Sequence, residues 1–296
     1  MDERAALALV AERLPAAGDD AAVVDDLVVT TDMLHERTDF PDGTTPYTAG
    51  WRAVGASLSD VAAMGAAARC AVAAYGAPAF DPDEVGAFLD GAADVCDAVG
   101  AEYVGGDLDG HDEFTVASTV VGHADDPVLR SGASPGDAVC VTGALGRTAA
   151  ALRRFEAGEK ARGNELFRFV PRVAAGEALA PHATAMMDVS DGLARSCHQL
   201  AAASGVGIDV SWTAVPAAAS VDAVARDAGD RRELTGFVGE DFELLCTLPA
   251  DRVQTASAAL DVPLAAIGEV RPADAGVTAD GDPLPDRGYT HGDSAE

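Results

Sequence analysis

The segment Met187-Asp-Val-Ser-Asp-Gly-Leu193 joins an apolar strand, predicted over residues 185–187, to a helix predicted to run to about residue 203. In an extended segment alternate side chains point to opposite sides, so Asp188 and Ser190 lie on one side and Asp191 on the other. Ser190 or Asp191 can cap the following helix. A cap explains one of the three polar residues but not all of them together. Carboxylates and hydroxyls at such a junction are the oxygen ligands that hard divalent cations prefer.

Four further motifs place aspartate beside glycine, serine or threonine, at the predicted end of a strand or helix or off an apolar helical stripe. They are Gly18-Asp19-Asp20, Thr30-Thr31-Asp32, Ser59-Asp60 and Gly105-Gly106-Asp107. Taken alone, each motif has an ordinary alternative, which is a surface turn, a strand end or a solvated charge. If all five motifs converge in space, they predict a site for several Mg²⁺ ions, and such a cluster of ions binds phosphate groups.

The chain is strongly acidic along its whole length. Its 296 residues include 49 aspartates and glutamates against 20 lysines and arginines, for a net charge of −29, and Lys160 is the only lysine. Such a surface repels the phosphates of nucleic acids and of anionic membranes, so we expect neither as a partner. Acidic excess with almost no lysine is typical of cytosolic proteins of halophiles, in which molar salt screens the self-repulsion. Any single aspartate can therefore also be a solvated surface charge.

Length and hydropathy indicate a globular protein with real cores. Hydrophobic residues make up 48% of the chain, and its length favours two domains. No stretch approaches the roughly 18 apolar residues of a membrane-spanning helix. The start of the chain, Met1-Asp2-Glu3, lacks the basic residues that open a secretory signal. We therefore expect a soluble, cytoplasmic protein.

The periodicity of apolar residues predicts a mixed α/β (α+β) fold with two domains. The polar stretch His-Ala-Asp-Asp-Pro at residues 123–127 separates a first domain, residues 1–126, from a second domain, residues 127–296. Strands and helices mix in both halves. In the second domain we expect a helix over residues 163–180 before the strand that leads to Asp188.

The first domain is predicted to hold its motifs at the ends of elements. After a short amphipathic helix over residues 2–14, a hairpin carries Gly18-Asp19-Asp20 at one end and Thr30-Thr31-Asp32 at the other. A long helix capped by Thr45 keeps Asp60 off its apolar stripe. A strand over residues 102–104 then leads into Gly105-Gly106-Asp107, whose backbone N–H groups can approach a phosphate.

Two more polar motifs bear on phosphate binding. Arg130-Ser131-Gly132 supplies a planar, permanently charged fork for a phosphate, although a surface arginine is the ordinary alternative. Gly239-Glu240-Asp241 precedes an apolar strand and can equally be an acidic turn. The chain has no GxxxxGKS/T loop and none of the protein-kinase motifs. The charge of ATP would therefore have to be met by Mg²⁺ and arginine.

In their order and spacing, the motifs resemble those of the thiamine-monophosphate kinase family, which belongs to the aminoimidazole ribonucleotide synthetase-like superfamily. The resemblance covers most of the chain. Sister branches of this superfamily use an early reactive cysteine or a lysine near the N-terminus, whereas the first cysteine here is Cys70. The matching segments are Gly18–Val23, Thr30–Met33, Leu58–Gly65, Gly105–Asp107, Leu129–Ala133, Val141–Gly143, Met187–Leu193 and Gly239–Leu245.

The resemblance implies roles for individual residues. The implied Mg²⁺ ligands are Asp20, Thr30, Thr31, Asp32, Asp60, Asp107, Asp188 and Asp191. The implied ATP contacts are Gly106, Asp107, Arg130 and Ser190. The implied substrate contacts are Asp39, Glu240 and Tyr289, and Asp39 stands where many bacterial members have a histidine.

The resemblance also implies the reaction and the assembly. The reaction is the ATP-dependent phosphorylation of thiamine monophosphate to thiamine diphosphate, with several Mg²⁺ ions and no phosphoenzyme. The assembly is a homodimer whose N-terminal sheets pair into a barrel. Two alternatives stay open, namely another ATP-dependent synthetase of the superfamily with a different acceptor and a non-catalytic regulator that binds nucleotide or metal.

Overall fold

A computed structural model describes residues 9–10, 12–14 and 16–289, and within them it contains two β-sheets with helices packed against them. The helix predicted over residues 2–14 falls largely outside the described residues. The mixed α/β class is confirmed. Neither sheet closes into a barrel within the described chain.

The first sheet has five strands, in the order β1-β2-β5-β3-β4. All neighbours are antiparallel except β3 and β4, which are parallel. Two long helices, α2 and α3, pack on one face of this sheet, after the short helix α1. The strands are β1 (Ala22–Val24), β2 (Leu27–His35), β3 (Ala67–Ala77), β4 (Glu102–Gly110) and β5 (Thr115–His123), and the helices are α1 (Glu36–Asp39), α2 (Pro46–Ala63) and α3 (Pro82–Asp97).

Two of the predicted strand ends are wrong. Strand β2 continues through Thr30-Thr31-Asp32 to His35, because all nine of its residues pair with β5. Strand β4 continues through Gly105-Gly106-Asp107 to Gly110, paired with β3. Gly106 suits this pairing, since a Cβ there would lie 1.8 Å from the carbonyl oxygen of Ala73. Both motifs therefore present their side chains from the faces of a sheet and not from loop tips.

The second sheet has seven strands, in the order β12-β11-β8-β10-β6-β9-β7. Its strands are β6 (Asp137–Thr142), β7 (Ala185–Asp188), β8 (Gly207–Val210), β9 (Leu244–Pro249), β10 (Leu264–Arg271), β11 (Val277–Ala279) and β12 (Asp282–Pro283). The helices of this half are α4 (Arg147–Glu156), α5 (Lys160–Phe167), α6 (Val173–Leu179), α7 (Leu193–Ser204), α8 (Ala219–Asp222), α9 (Ala228–Gly236) and α10 (Val253–Ala258).

The single helix predicted over residues 163–180 is two helices. Helix α5 ends at Phe167 and α6 begins at Val173. Pro171 lies between them, and a proline inside a helix removes one hydrogen bond and clashes with the preceding turn. No helix in the described part of the chain has both the length and the apolar character that crossing a membrane requires.

Helix α2 is the central element of the first half. The Thr45 hydroxyl caps it by accepting a hydrogen bond from the Thr48 N–H, as its sequence predicts. Val54, Leu58 and Val61 of its apolar stripe are completely buried. Helix α3 crosses it at very short range, because glycine stands at the crossing on both helices. A Cβ on Gly91 would lie 2.0 Å from the carbonyl oxygen of Tyr47.

The substitution Gly91→Ala tests this close crossing. The added methyl group must push the two backbones apart, so we expect the free energy of unfolding to fall by about 1–3 kcal/mol. Gly86→Ala is the matched control on the same helix, since a Cβ there has no heavy atom within 4 Å. It should raise the free energy of unfolding by about 0.5–1 kcal/mol through higher helix propensity. Urea unfolding in high KCl measures both, and equal effects of the two substitutions would contradict this packing.

Candidate active site

Three carboxylates from distant parts of the chain meet at one point. Asp20 precedes β1, Asp60 lies in the last turns of α2, and Asp188 ends β7. One oxygen from each lies within 4.8 Å of one oxygen from each of the others. We call these three residues the carboxylate triad. The predicted convergence of these three aspartates is therefore found in the structure.

Neighbouring hydroxyl groups orient two members of the triad. The Ser59 hydroxyl donates to Oδ2 of Asp188 at 2.6 Å. The Thr30 hydroxyl donates to Oδ2 of Asp60, also at 2.6 Å. Because each carboxylate has one oxygen occupied in this way, its remaining oxygen is held in a defined direction.

Arg130 holds the third member of the triad. Its guanidinium makes the two-pronged contact that suits a carboxylate, with Nε 3.0 Å from Oδ2 of Asp20 and Nη2 2.9 Å from Oδ1. Its own backbone N–H donates to the side chain of Asp19 at 2.8 Å. Arg130 therefore lies beside the triad, where a permanently charged group can also meet a phosphate.

The triad is electrostatically costly in the absence of a cation. Burial and then the charge of Asp20 raise the pKa of Asp188 to about 7. Burial, followed by the charges of Asp32, Asp188 and Asp20, raises the pKa of Asp60 well above its ordinary value. Oδ1 of Asp188 is buried and has no hydrogen-bond partner within the described residues. Three clustered carboxylates with such an orphan oxygen and no nitrogen or sulfur ligand fit a hard divalent cation.

Three other predicted metal ligands, Asp32, Asp191 and Thr31, have different surroundings in the structure. Asp32 faces helix α2, where the Ser57 hydroxyl donates to it at 3.3 Å, and its charge acts on Asp60. Asp191 accepts from the Gln199 side chain at 3.2 Å. Thr31 projects from the opposite face of β2, because neighbouring residues of a strand alternate. The structure therefore does not bring Thr31 to the triad.

Gly106 and Asp107 lie on β4, at the exposed edge of the first sheet. Asp32, Ser118, Ala73 and Gly106 form one row across the strands β2, β5, β3 and β4. Three strand spacings separate the ends of this row, which is ~14 Å. A single chain thus keeps Asp107 away from the triad. Next to this edge lies a cavity of about 180 Å³, which is lined by Gly106, Asp107 and three aromatic side chains, Tyr75, Phe88 and Tyr103.

The three predicted substrate contacts do come together. Asp39, Glu240 and Tyr289 all line one cavity of about 310 Å³, which we call the acceptor pocket. The Tyr289 hydroxyl lies 3.4 Å from Oδ1 of Asp39. Asp39 and Tyr289 are 250 positions apart in the sequence. No local sequence pattern could therefore show that they converge.

The segment Asp188–Gly192 links the acceptor pocket to the triad. The N–H of Glu240 donates to the carbonyl oxygen of Ser190 at 2.6 Å, and the N–H of Tyr289 donates to that of Asp191 at 3.0 Å. Two glycines permit these approaches, since a Cβ on Gly239 or on Gly288 would lie 2.2 Å from the same carbonyl oxygens. The backbone of one motif thus positions residues of both parts of the site.

Sequence reasoning overlooked two contributors, Ser59 as the partner of Asp188 and Arg52. Arg52 lies in the buried stripe of α2 with 2% of its surface exposed, and it donates to the Glu240 carboxylate at 2.9 Å. The available signal was a charged residue inside an otherwise apolar and small-residue helix, because such a residue must find a partner.

Comparisons with known proteins agree with this architecture. The model of the AIR synthase related protein, N-terminal domain, matches residues 18–124, and that of the C-terminal domain matches residues 134–280. The thiamine-monophosphate kinase of Halobacterium salinarum is 61% identical over 291 residues, which are 98% of this chain and 100% of that protein. The corresponding enzyme of Methanospirillum hungatei is 43% identical over 270 residues, 90% of this chain and 88% of that protein.

A solved structure of AaThiL complexed with AMPPCP and TMP superimposes with a TM-score of 0.90 at 29% identity, covering 98% of this chain and 97% of that one. Both halves of the fold and their carboxylate-lined junction thus define an AIR synthase related protein. More narrowly, the chain belongs to the thiamine-monophosphate kinase family. The resemblance seen in the sequence is confirmed, and so is the assignment of the chain as an enzyme of the thiamine-phosphate kinase class.

The raised pKa values predict how stability depends on pH without metal. The pKa of Asp188 rises from 3.8 to about 7 on folding, so the folded chain binds more protons than the unfolded chain between these values. Stability must therefore fall as pH rises from about 4 to about 7. Asp188→Asn should flatten this dependence and raise the free energy of unfolding at pH 7.5 by on the order of 1–2 kcal/mol. Urea unfolding in high KCl with EDTA measures it.

Asp125→Asn is the control, because that side chain is 95% exposed. It should leave the pH dependence as it is. Added Mg²⁺ should stabilise the control and the unsubstituted protein, and should no longer stabilise Asp188→Asn. A loss of stability in metal-free Asp188→Asn would show instead that the ionised carboxylate supports the fold.

Proposed function

We propose that this protein transfers the γ-phosphoryl group of ATP directly to thiamine monophosphate, in line and with several Mg²⁺ ions, to give ADP and thiamine diphosphate. The observation that carries this proposal is the linkage of two sites by one segment, residues 188–192. On one side lies the carboxylate triad, which fits metal ions. On the other lies the acceptor pocket. The relative solved with AMPPCP and TMP supports the same pair of ligands here.

The acceptor needs no activation by a general base. Thiamine monophosphate is a phosphate monoester whose second pKa of about 6 leaves it largely dianionic at neutral pH. It is therefore already a nucleophile. The barrier lies in bringing two polyanions together, since unit charges ~4 Å apart at low dielectric repel by up to ~20 kcal/mol, as an upper bound.

The triad and its neighbours supply the groups that lower this barrier. Mg²⁺ held by Asp20, Asp60 and Asp188, to which we add Asp32 and Asp191 as predicted ligands, would neutralise phosphate oxygens of both substrates. Ser59 and Thr30 keep two of the carboxylates oriented. Arg130 adds a permanent positive charge at the same point. We assign it, together with Gly106, Asp107 and Ser190, to ATP.

The acceptor pocket suits the organic part of the substrate. Its lining includes Asp39, Asp42 and Glu240 against one cation, Arg37, so it is acidic. Thiamine carries a cationic thiazolium ring and an amino group. Asp39 is buried, and its Oδ2 already accepts from the N–H of His35 at 2.7 Å. Among the described residues, its Oδ1 has only the long contact with Tyr289. An ionised carboxylate can accept hydrogen bonds but cannot donate them, so it matches a ligand that carries N–H donors.

We further propose a homodimer formed through the first sheet, whose facing sheets complete a barrel. Helices α2 and α3 cover only one face of this sheet. Strands β2, β3 and β4 carry large apolar side chains that are exposed, and monomeric proteins rarely expose such groups together. These side chains are Leu27, Met33, Val72 and Val104.

The dimer also accounts for two assigned ligands that the single chain leaves apart. Thr31 faces outward on β2, and Asp107 lies ~14 Å from Asp32 on the edge strand. The two can serve one site only if a second copy supplies one of them. We therefore assign Thr31 and Asp107 to a site shared between subunits.

Three further assignments concern the cellular setting, the biosynthetic process and the domains. The net charge of −29 with a single lysine supports a halophilic, cytoplasmic enzyme. Thiamine biosynthesis is the process that the reaction serves. The division into residues 1–126 and 127–296 remains our prediction for the two domains.

Turnover tests the proposed reaction. Purified protein in high KCl with Mg²⁺, ATP and thiamine monophosphate should release ADP and thiamine diphosphate in equal amounts. Chromatography of both products measures the ratio, and samples without acceptor or with EDTA serve as controls. ADP release that occurs only with another acceptor would show a different synthetase of the superfamily, and binding of ATP without any turnover would show a regulator.

The exposed apolar face is tested by placing charge on it. Met33→Lys combined with Val72→Lys should convert the dimer to a monomer, because burying two unpaired ammonium groups in an interface is strongly unfavourable. Light scattering in high KCl measures the mass. Val170→Lys is the control, since Val170 is 44% exposed, between Val72 at 38% and Met33 at 55%, but lies in the other half of the chain. A doubly substituted protein that stays dimeric would exclude this face as the interface.

A further inference from the structure

Arg52 is a buried cation that lies between the hydrophobic core and the acceptor pocket. It belongs to helix α2, eight residues before Asp60. At a rise of about 1.5 Å per residue, the two lie ~12 Å apart along the helix axis. The same rigid helix therefore reaches the acceptor pocket with one residue and the carboxylate triad with the other.

The guanidinium of Arg52 is held from several directions. Nη1 donates to the carbonyl oxygen of Phe167 at 2.6 Å, and the guanidinium carbon lies 3.6 Å from the centre of the Phe167 ring. Nη2 donates to Oε2 of Glu240 at 2.9 Å. Such stacking and forked donation need a planar cation, which lysine cannot supply.

The pair of Arg52 and Glu240 is asymmetric in its exposure. The Arg52 side chain is 2% exposed, whereas that of Glu240 is 26% exposed and lines the acceptor pocket. Within the described chain, Arg52 is the residue that donates to the Glu240 carboxylate, and it does so to Oε2. The second oxygen, Oε1, can therefore accept from a ligand in the pocket.

The backbone of Glu240 is fixed independently of this pair. Glu240 has a φ of 64° and Phe242 a φ of 53°, in the left-handed region that is strained for residues other than glycine. Asp241 between them accepts from the N–H groups of Gly146 and Thr148. The main chain of this turn is thus held by Asp241 and by the Ser190 carbonyl group, and Arg52 is left to set the side chain.

Stability alone is a poor explanation for Arg52. Replacing a buried ion pair by apolar residues of similar volume is often neutral or even stabilising. The guanidinium of Arg52 lies among the aromatic rings of Phe167, Phe169 and Phe242. An apolar side chain could also fill this space. The charges of Asp241 and Asp39 also act on Arg52, but the carboxylate that it contacts at hydrogen-bond distance is that of Glu240. The cation therefore holds this carboxylate at a defined place in the pocket wall.

We propose that Arg52 is a positioning residue, which sets the Glu240 carboxylate against thiamine monophosphate and fixes its distance from the carboxylate triad. The inference rests on the proposed function, because it concerns the acceptor of that reaction. Arg52 itself does not reach the reacting phosphates. It acts through Glu240, on acceptor binding and not on ATP binding.

Steady-state kinetics of three variants test this role. Arg52→Lys keeps the charge but loses the fork, Arg52→Met removes the charge, and Glu240→Gln removes the anion at the pocket wall. Each should raise the KM for thiamine monophosphate about 10-fold or more and leave the KM for ATP within about 2-fold, because the charged hydrogen bond that is lost lies on the acceptor side of the site. The double variant Arg52→Met with Glu240→Gln should be no worse than the poorer single variant.

Arg168→Met is the matched control. Arg168 follows Phe167 and contacts Thr48 and Tyr47, not Glu240, so its KM values should not change. If Arg52→Met does not fold, Arg52→Lys and Glu240→Gln still decide the question, because lysine keeps the buried positive charge and glutamine keeps the shape of Glu240 and an oxygen that can accept from Arg52. An unchanged acceptor KM in Glu240→Gln, or equal rises in both KM values in Arg52→Lys, would overturn the inference. An unsubstituted protein that fails to turn over thiamine monophosphate would instead overturn the proposed function and, with it, this role.

Discussion

Three like charges held against one another are the constraint on which the rest of this structure depends. One carboxylate oxygen each of Asp20, Asp60 and Asp188 lies within 4.8 Å of the others. Burial and the neighbouring negative charges raise the pKa values of Asp60 and Asp188 and so oppose their ionisation. A folded chain can tolerate such a cluster only if its stability comes from elsewhere. It comes from the apolar cores of both halves, which bury most of helix α2 and one face of the central strands of the first sheet. The site is thus preorganised before a ligand binds. The stability of the apolar cores offsets the repulsion between its carboxylates.

Helix α2 sets the distance between the acceptor pocket and the carboxylate triad. Along one buried helix stand Arg52, which reaches the acceptor pocket, and Ser57, Ser59 and Asp60, which reach Asp32, Asp188 and Thr30. A helix is stiff over this length, so the spacing between the acceptor pocket and the triad is set by residue number. The second half of the molecule adds Asp188–Gly192 at the end of β7, and its backbone carbonyl groups anchor Glu240 and Tyr289. Both halves are needed before either part of the site is complete.

Local patterns predicted much of this correctly. The cap at Thr45 and the helix that it begins follow from side-chain chemistry within a few residues. The predictions failed where distant pairing overrides local signals. Thr30–Asp32 and Gly105–Asp107 read as strand ends because polar residues and glycine interrupt the apolar pattern, yet β5 and β3 extend both strands through them. Pro171, by contrast, was a local signal for the break between α5 and α6.

The sequence by itself determined the class of the fold, the order of the aspartate motifs and the family, because these depend on residue types and their spacing along the chain. Only the tertiary structure decided which motifs meet. Asp20, Asp60 and Asp188 converge across 168 residues, Thr31 turns to the far face of its strand, and Asp107 stays at an edge. Arg52 likewise gained its partner, Glu240, only through folding. The physical reason is that ligand binding depends on distances of a few ångströms between side chains, and those distances are set by strand register and helix packing.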